Sequence, residues 1–333
     1  MNTPWIMSWD HGAAEIHPLG GMLGPVLFTL PDGRCVQPFF VAPWIGDASV
    51  PSLPPLLQGL RGEFPCVPFG AERDTPIPGW QGRAAAIGDG AAHGHSANHD
   101  WQLLDRGPDW IEIGIDYPAG HPVRRLRRRV SGRKGAAALD LMLEVEADRD
   151  IDLGIALHPT FRLPETAGAT EIEVAGLIKG MVFPAPLDST GRAAPGAAFA
   201  RLDQVPGVDG AVIDFSRLPF AAPNEDLLQV QATGGAVRVV NRQEAWAAHV
   251  EYDPVQFPSV ILWVSNRGWT GFPWSGRTRA LGIEPARAAF DLGQTVSADP
   301  DNPLVRTGVP TFFHLKAGEV LRTKYVISVE GLS

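Results

Sequence analysis

Cysteine is nearly absent from this chain: Cys35 and Cys66 are the only two among 333 residues. Two thiols without CxxC spacing exclude a disulfide framework. Long apolar runs are missing as well, and none approaches the roughly 20 residues that span a bilayer. The first 20 residues carry Asp10, His11, Glu15 and His17 but no basic n-region and no apolar h-region, so no signal peptide is read there. Positive charge is in deficit, with a net charge of −9, which is poor material for a nucleic-acid binder. These absences point to a soluble, cytoplasmic protein whose partners are neither nucleic acid nor membrane.

Several catalytic signatures are missing too. There is no Gly-x-Ser-x-Gly for a serine nucleophile. Gly88-Asp89-Gly90 lacks the third glycine and the βαβ frame of a dinucleotide fingerprint. Internal repeats and low-complexity tracts do not occur.

What the chain does have is 37 Gly and 31 Pro, a composition of strands and turns. Alternation of apolar and polar residues recurs, as in Ile111, Ile113 and Ile115 or in Leu139, Leu141, Leu143 and Val145. Val123–Val130, Ala236–Val240, Val260–Val264 and Tyr325–Val329 read as further strands. Gly234-Gly235, between Leu227–Gln231 and Ala236–Val240, reads as a tight hairpin turn. Ser52–Leu60 is the one persuasive helix, with Ser52 as N-cap and prolines in its first turn. Many strands without a break imply an all-β fold in a single domain over residues 1–333. The basic run Arg124-Arg125-Leu126-Arg127-Arg128-Arg129 is expected to be a solvated strand face with cross-strand ion pairs, the alternative being a phosphate pocket.

Two distant stretches share one plan: Gly154-Ile155-Ala156-Leu157-His158-Pro159 and Ala280-Leu281-Gly282-Ile283-Glu284-Pro285. As strands, each puts large apolar residues on one face. The other face carries Gly and Ala and then a titratable group. His158 and Glu284 across a pocket form an acid–base pair, since one gives a proton as the other takes one. Hemiacetal chemistry on a sugar needs that arrangement and no cofactor. The bland alternatives are a satisfied core histidine, and an ion pair of Glu284 with Arg279 or Arg287.

A second cluster is His93-Gly94-His95-Ser96-Ala97-Asn98-His99, read as a loop entering a strand through Gln102-Leu103-Leu104. With His93 and His95 on one side of a strand, and His99 beyond, it has the donors of a metal site. It loosely resembles the first motif of cupins, but Asn98, His99 and Asp100 stand where that motif wants a Glu, and no second motif follows. The alternative is neutral hydrogen bonding to a polar ligand by the histidines and Asn98. Trp269 and Trp274, in a Gly/Pro-rich loop, suit either core packing or stacking on a sugar ring.

The order of motifs resembles the aldose 1-epimerase (galactose mutarotase-like) superfamily. The carriers are Leu60-Arg61-Gly62-Glu63-Phe64-Pro65-Cys66-Val67-Pro68-Phe69-Gly70, His93-Gly94, Leu157-His158-Pro159-Thr160-Phe161-Arg162-Leu163 and Gly282-Ile283-Glu284-Pro285. Asp214–Pro219 and Phe313–Glu319 add to them, and the resemblance spans roughly residues 20 to 330. It implies a β-supersandwich and cofactor-free interconversion of α and β anomers of a sugar. Carried over, Glu284 is the base on the anomeric hydroxyl and His158 the acid on the ring oxygen. His93 binds sugar hydroxyls, and Asp226 is the nearest counterpart of a substrate-contacting aspartate. The chain departs from the family around His158, where Leu-His-Pro-Thr-Phe-Arg replaces Asn-His-Thr-Tyr-Phe-Asn, and after His93-Gly94. The arginine expected after the Phe69-Gly70 stretch is out of register, with Arg73 displaced by a few positions. These departures leave open which sugar is bound, whether it carries a phosphate, and whether a non-catalytic sugar-binding protein has kept the same fold.

Overall fold

The computed structural model describes residues 3–88 and 90–332, so Asp89 of the Gly88–Gly90 triplet lies outside the described residues. Two antiparallel sheets dominate. One runs Arg217–Leu218, Thr170–Val174, Ala236–Asn241, Trp246–Tyr252, Val320–Gly331, Ala138–Ala147, Val123–Gly132, Trp110–Asp116 and Gln102–Arg106 in spatial order. The other runs Ala198–Phe199, Leu177–Val182, Asn224–Ala232, Ser259–Asn266, Arg279–Arg287, Ile155–Leu157 and Pro65–Cys66, with Thr160–Arg162 also paired to Arg279–Arg287. Helices are few and short. The fold is all-β, as the alternation implies. No helix among the described residues is long and apolar enough to cross a membrane.

The period of two sorts residues between two cores. Leu139, Leu141 and Leu143 of the first sheet meet Val260, Leu262, Leu281 and Ile283 of the second in one contiguous cluster. Ile155 and Leu157 belong to that cluster, on the face the sequence assigned them. Ala156, Ile261, Trp263, Ala280 and Ala286 point the other way, into a second cluster roofed by loops and short helices. The candidate site lies on that second face.

Three local expectations change. Gly234-Gly235 is not a hairpin turn: Asn224–Ala232 pairs with Leu177–Val182 and Ser259–Asn266, while Ala236–Asn241 pairs with Thr170–Val174 and Trp246–Tyr252. The glycines carry the chain from one sheet to the other, and a local sequence does not distinguish a sheet crossing from a hairpin. Ser52–Leu60 is two pieces, a 3-10 turn Val50–Ser52 and a helix Pro55–Gly59, and Ser52 bonds back to the Ser49 carbonyl instead of capping. The basic run is solvated except at one position. Arg124 and Arg125 pair with Glu146, and Arg129 lies over the Trp110 ring at 3.7 Å. Arg128 is fully buried, with its guanidinium on Glu63 and on the Gly21 carbonyl. It shares the inward parity of Leu126 and Val130, so the pleat leaves it no route to water.

Candidate active site

The two stretches of matched plan are neighbours. Ala156 pairs with Ala286, and Thr160 with Gly282, in one antiparallel register. His158 therefore stands opposite Glu284, where the His158-Pro159 step interrupts the strand. Pro159 has no N–H to offer the ladder, and its carbonyl accepts from Ile283. His158 Nε2 and Glu284 Oε1 are 3.5 Å apart, both side chains nearly inaccessible. His158 Nδ1 lies 3.1 Å from Thr160 Oγ1, and the ring stacks on Phe64 at 4.6 Å, which fixes its plane. Arg279 and Arg287 take no part: Arg279 pairs with Glu165, and Arg287 donates to the Phe312 and Val255 carbonyls.

Gly282 clears the floor in a literal sense. A Cβ there would come 2.4 Å from Glu284 Oε1 and 3.1 Å from the Trp263 Cβ. Gly154 serves something else, because its Cβ would meet Ser297 Cβ at 2.7 Å; it admits the Gly293–Ser297 helix, not a ligand. Gly282→Ala is thus expected to displace the Glu284 carboxylate and cost about a hundredfold in activity. Comparing the turnover and unfolding midpoints of that variant with wild type checks it; undiminished turnover would contradict it.

Burial shapes the electrostatics. It drives the Glu284 carboxyl well above the usual range, with the neighbouring Asp291 adding to the effect. The His158 imidazole is pushed well below its usual value, first by burial and then by His93. Burial alone lowers His93 to about 4, so it is a neutral ring.

A cavity of about 320 Å³ opens over the pair. His93 enters its wall from the left-handed residue before the Gly94–Asn98 helix, its ring 5.1 Å from that of His158 and its Nδ1 without a hydrogen-bond partner. Trp263, Trp269 and Trp274 line another wall, their centroids 4.6 to 6.1 Å apart. Trp269 and Trp274 therefore line the pocket and at the same time pack against the second core cluster. Sequence reasoning missed their anchor: Glu225 Oε1 accepts from the Gly268 and Trp269 amides and from Ser265 Oγ, holding the tryptophan loop. Asp291 was missed as well. It lines the cavity with an unpartnered Oδ1, and burial, opposed by Arg73 and the Ala71 amide, leaves its carboxyl at about 7. Arg73 also lines the cavity, so its displacement in sequence does not remove it from the site.

Other expected site residues lie elsewhere. Asn98 Oδ1 accepts from the Leu56 amide, and its Nδ2 donates to the Ala92 and Gly94 carbonyls, so it ties two short helices together. Asp226 accepts from the Arg192 and Ala193 amides and from Asn224 Nδ2, bracing a loop outside this cavity. His95 and His99 sit one helical turn apart with rings stacked at 3.8 Å beside Tyr117, turned away from His93. His93 and His95 are thus not strand neighbours, and the three imidazoles do not converge. Among the described residues no group of three His, Cys, Asp or Glu is placed to hold a metal ion.

No family model and no curated protein matches the chain. Solved structures do. A protein of Escherichia coli K12, provisionally described as an aldose 1-epimerase, superposes with a TM-score of 0.67 at 16% identity, covering 99% of each chain. A galactose mutarotase related enzyme from Lactobacillus acidophilus gives 0.62 at 13% identity, covering 99% of this chain and 98% of its own. A galactose mutarotase-like protein from Clostridium acetobutylicum gives 0.60 at 13%, covering 99% of each. At such identities the likeness establishes the fold, and it is the fold the motif order implies.

Proposed function

We propose that the chain is an aldose 1-epimerase-like isomerase that interconverts the anomers of a free sugar without a cofactor. The observation that carries this reading is the His158–Glu284 pair, 3.5 Å apart at the floor of an aromatic-walled cavity. In ring opening, Glu284 takes the proton of the anomeric hydroxyl while His158 gives one to the ring oxygen. The bond from C1 to the ring oxygen breaks as the C1 carbonyl forms. Rotation about C1–C2 turns the other carbonyl face to the ring oxygen, and closure runs both transfers backwards. One proton enters and one leaves at each step, so the pair works only while holding a single proton between its two members.

The burial shifts widen the pH range of the one-proton state and favour its proton on Glu284, so ring opening draws on the tautomer that places the proton on His158. Below the depressed range of His158 the pair holds two protons and lacks a base. Above the raised range of Glu284 it holds none and lacks an acid. The expected profile of kcat/KM is a plateau with a fall on each side, the flanks belonging to the pair as a unit. Polarimetry of freshly dissolved α-anomers across pH, over a panel of hexoses, pentoses and hexose phosphates, checks this. Equilibration no faster than in buffer would refute catalysis. Sugar binding without turnover would leave the alternative, a carbohydrate-binding protein on the same fold.

A further inference from the structure

Two of the three cavity tryptophans, Trp269 and Trp274, ride on the loop that joins the strands Ser259–Asn266 and Arg279–Arg287. The Arg267 amide donates to the Thr278 carbonyl and closes the base of that loop. Inside it the Ser275, Gly276 and Arg277 amides donate to the Gly271, Trp269 and Trp274 carbonyls, so the segment holds its own shape. Its seating over the cavity depends on contacts with other parts of the fold. On the outside Arg277 reaches Asp47 at 2.9 Å, but both side chains are exposed, where an ion pair is weak. Trp274 also packs edge-on against Trp44 at 4.7 Å.

On the inside stands Glu225, fully buried and outside the cavity lining, with the strand parity of the lining residue Leu227. Its Oε1 accepts from the Gly268 amide at 3.0 Å, the Trp269 amide at 3.1 Å and Ser265 Oγ at 2.9 Å. Gly268 permits that approach, since a Cβ there would lie 2.5 Å from Glu225 Cγ and 2.4 Å from Thr190 Oγ1. Glu225 Oε2 is buried without a hydrogen-bond partner. Burial is the main reason the carboxyl stands at about 7; Asp188 adds to the rise and the three donors oppose it. Of the other charged groups nearby, Asp226 accepts from the Arg192 and Ala193 amides, and Arg267 donates to the Ala221 carbonyl.

We propose, resting on the epimerase reading, that Glu225 is a positioning residue: as a carboxylate it seats the tryptophan loop against the sugar, and on taking a proton it loosens that hold. Hydrogen bonds to an ionised acceptor are roughly twice as strong as those to a neutral one. A sugar that stacks on the seated tryptophans binds that state better and favours the ionised carboxylate in return. Affinity is therefore full on the alkaline side and falls as pH drops through about 7.

The probes are glucose, galactose and xylose. Binding is measured by calorimetry on both sides of pH 7 in a Glu284→Gln background, and kcat and KM by polarimetry in the otherwise unchanged chain. Glu225→Gln keeps the size and lacks the charge. It is expected to weaken binding and raise KM about tenfold above pH 7, with kcat within about twofold, and to match its parent below pH 7. Asp291, whose carboxyl also stands at about 7, is present in both proteins, so their difference belongs to Glu225. Gly268→Ala pushes the loop off the carboxylate by a separate route and is expected to raise KM alike. Equal affinities of Glu225→Gln and its parent throughout, or a loss in kcat with KM unchanged, would overturn the proposal. If Glu225→Gln does not fold, an unchanged KM in Gly268→Ala does the same. The expected difference in binding, with no exchange in wild type, supports the anchor and removes the isomerase; binding of none of these sugars overturns both.

Discussion

Glu284→Gln is expected to lower anomer exchange by about 10²- to 10⁴-fold, the usual contribution of a positioned acid or base. Gln keeps the volume of Glu and fits beside Gly282, so the loss reports proton transfer and not collapse of the cavity. The same variant is expected to unfold later than wild type at alkaline pH. Burial raises the Glu284 carboxyl in the folded state above its unfolded value. Its contribution to stability is therefore full below the unfolded pKa and is lost as pH rises through the folded one. Gln has no proton to lose, so the two proteins converge in acid and separate in base. Wild-type exchange rates in a correctly folded Gln variant would remove Glu284 from the chemistry.

The second large effect lies beneath the site. Arg128→Met is expected to destabilise the fold by about 3–5 kcal/mol, because it leaves the Glu63 carboxyl buried with only Tyr325 as partner. Burial already works against ionised Glu63, with Arg128 and then the Tyr325 hydroxyl opposing it. Glu63 adjoins Phe64, whose ring stacks on His158, so the buried pair sits under the wall that orients the imidazole. Adding Glu63→Gln to Arg128→Met is expected to restore part of the loss by removing the orphaned charge. Denaturant unfolding at neutral pH measures both. A loss under about 1 kcal/mol in the single variant would show that the pair contributes little.

Much of this was visible in the residue order. Alternation over 154–158 and 280–284 assigned faces correctly, and the cleared floor at Gly282 proved to be a steric fact. Arg128 had a legible sign, its parity with Leu126 and Val130, which a reading of the run as one charged block passed over. The direct opposition of His158 and Glu284 was not legible, because a register is a long-range property that short motifs do not encode. Asp291 escaped for a related reason, since it reaches the site from a loop whose course depends on the sheet below it, and Glu225 because it acts from the strand Asn224–Ala232 through the tryptophan loop it holds. Asn98 and Asp226 show the opposite failure, since polar residues near a motif were drawn into the site while their hydrogen bonds went to nearby backbone.

The measurement that bears most directly on the paired mechanism is a double-mutant cycle on anomer exchange, using Glu284→Gln, His158→Ala and the two combined. If the residues act as one proton-shuttling unit, each single variant falls by about 10²- to 10⁴-fold and the double variant falls hardly further. If the two losses multiply, or if either single variant keeps the wild-type rate, His158 and Glu284 are not an acid–base pair.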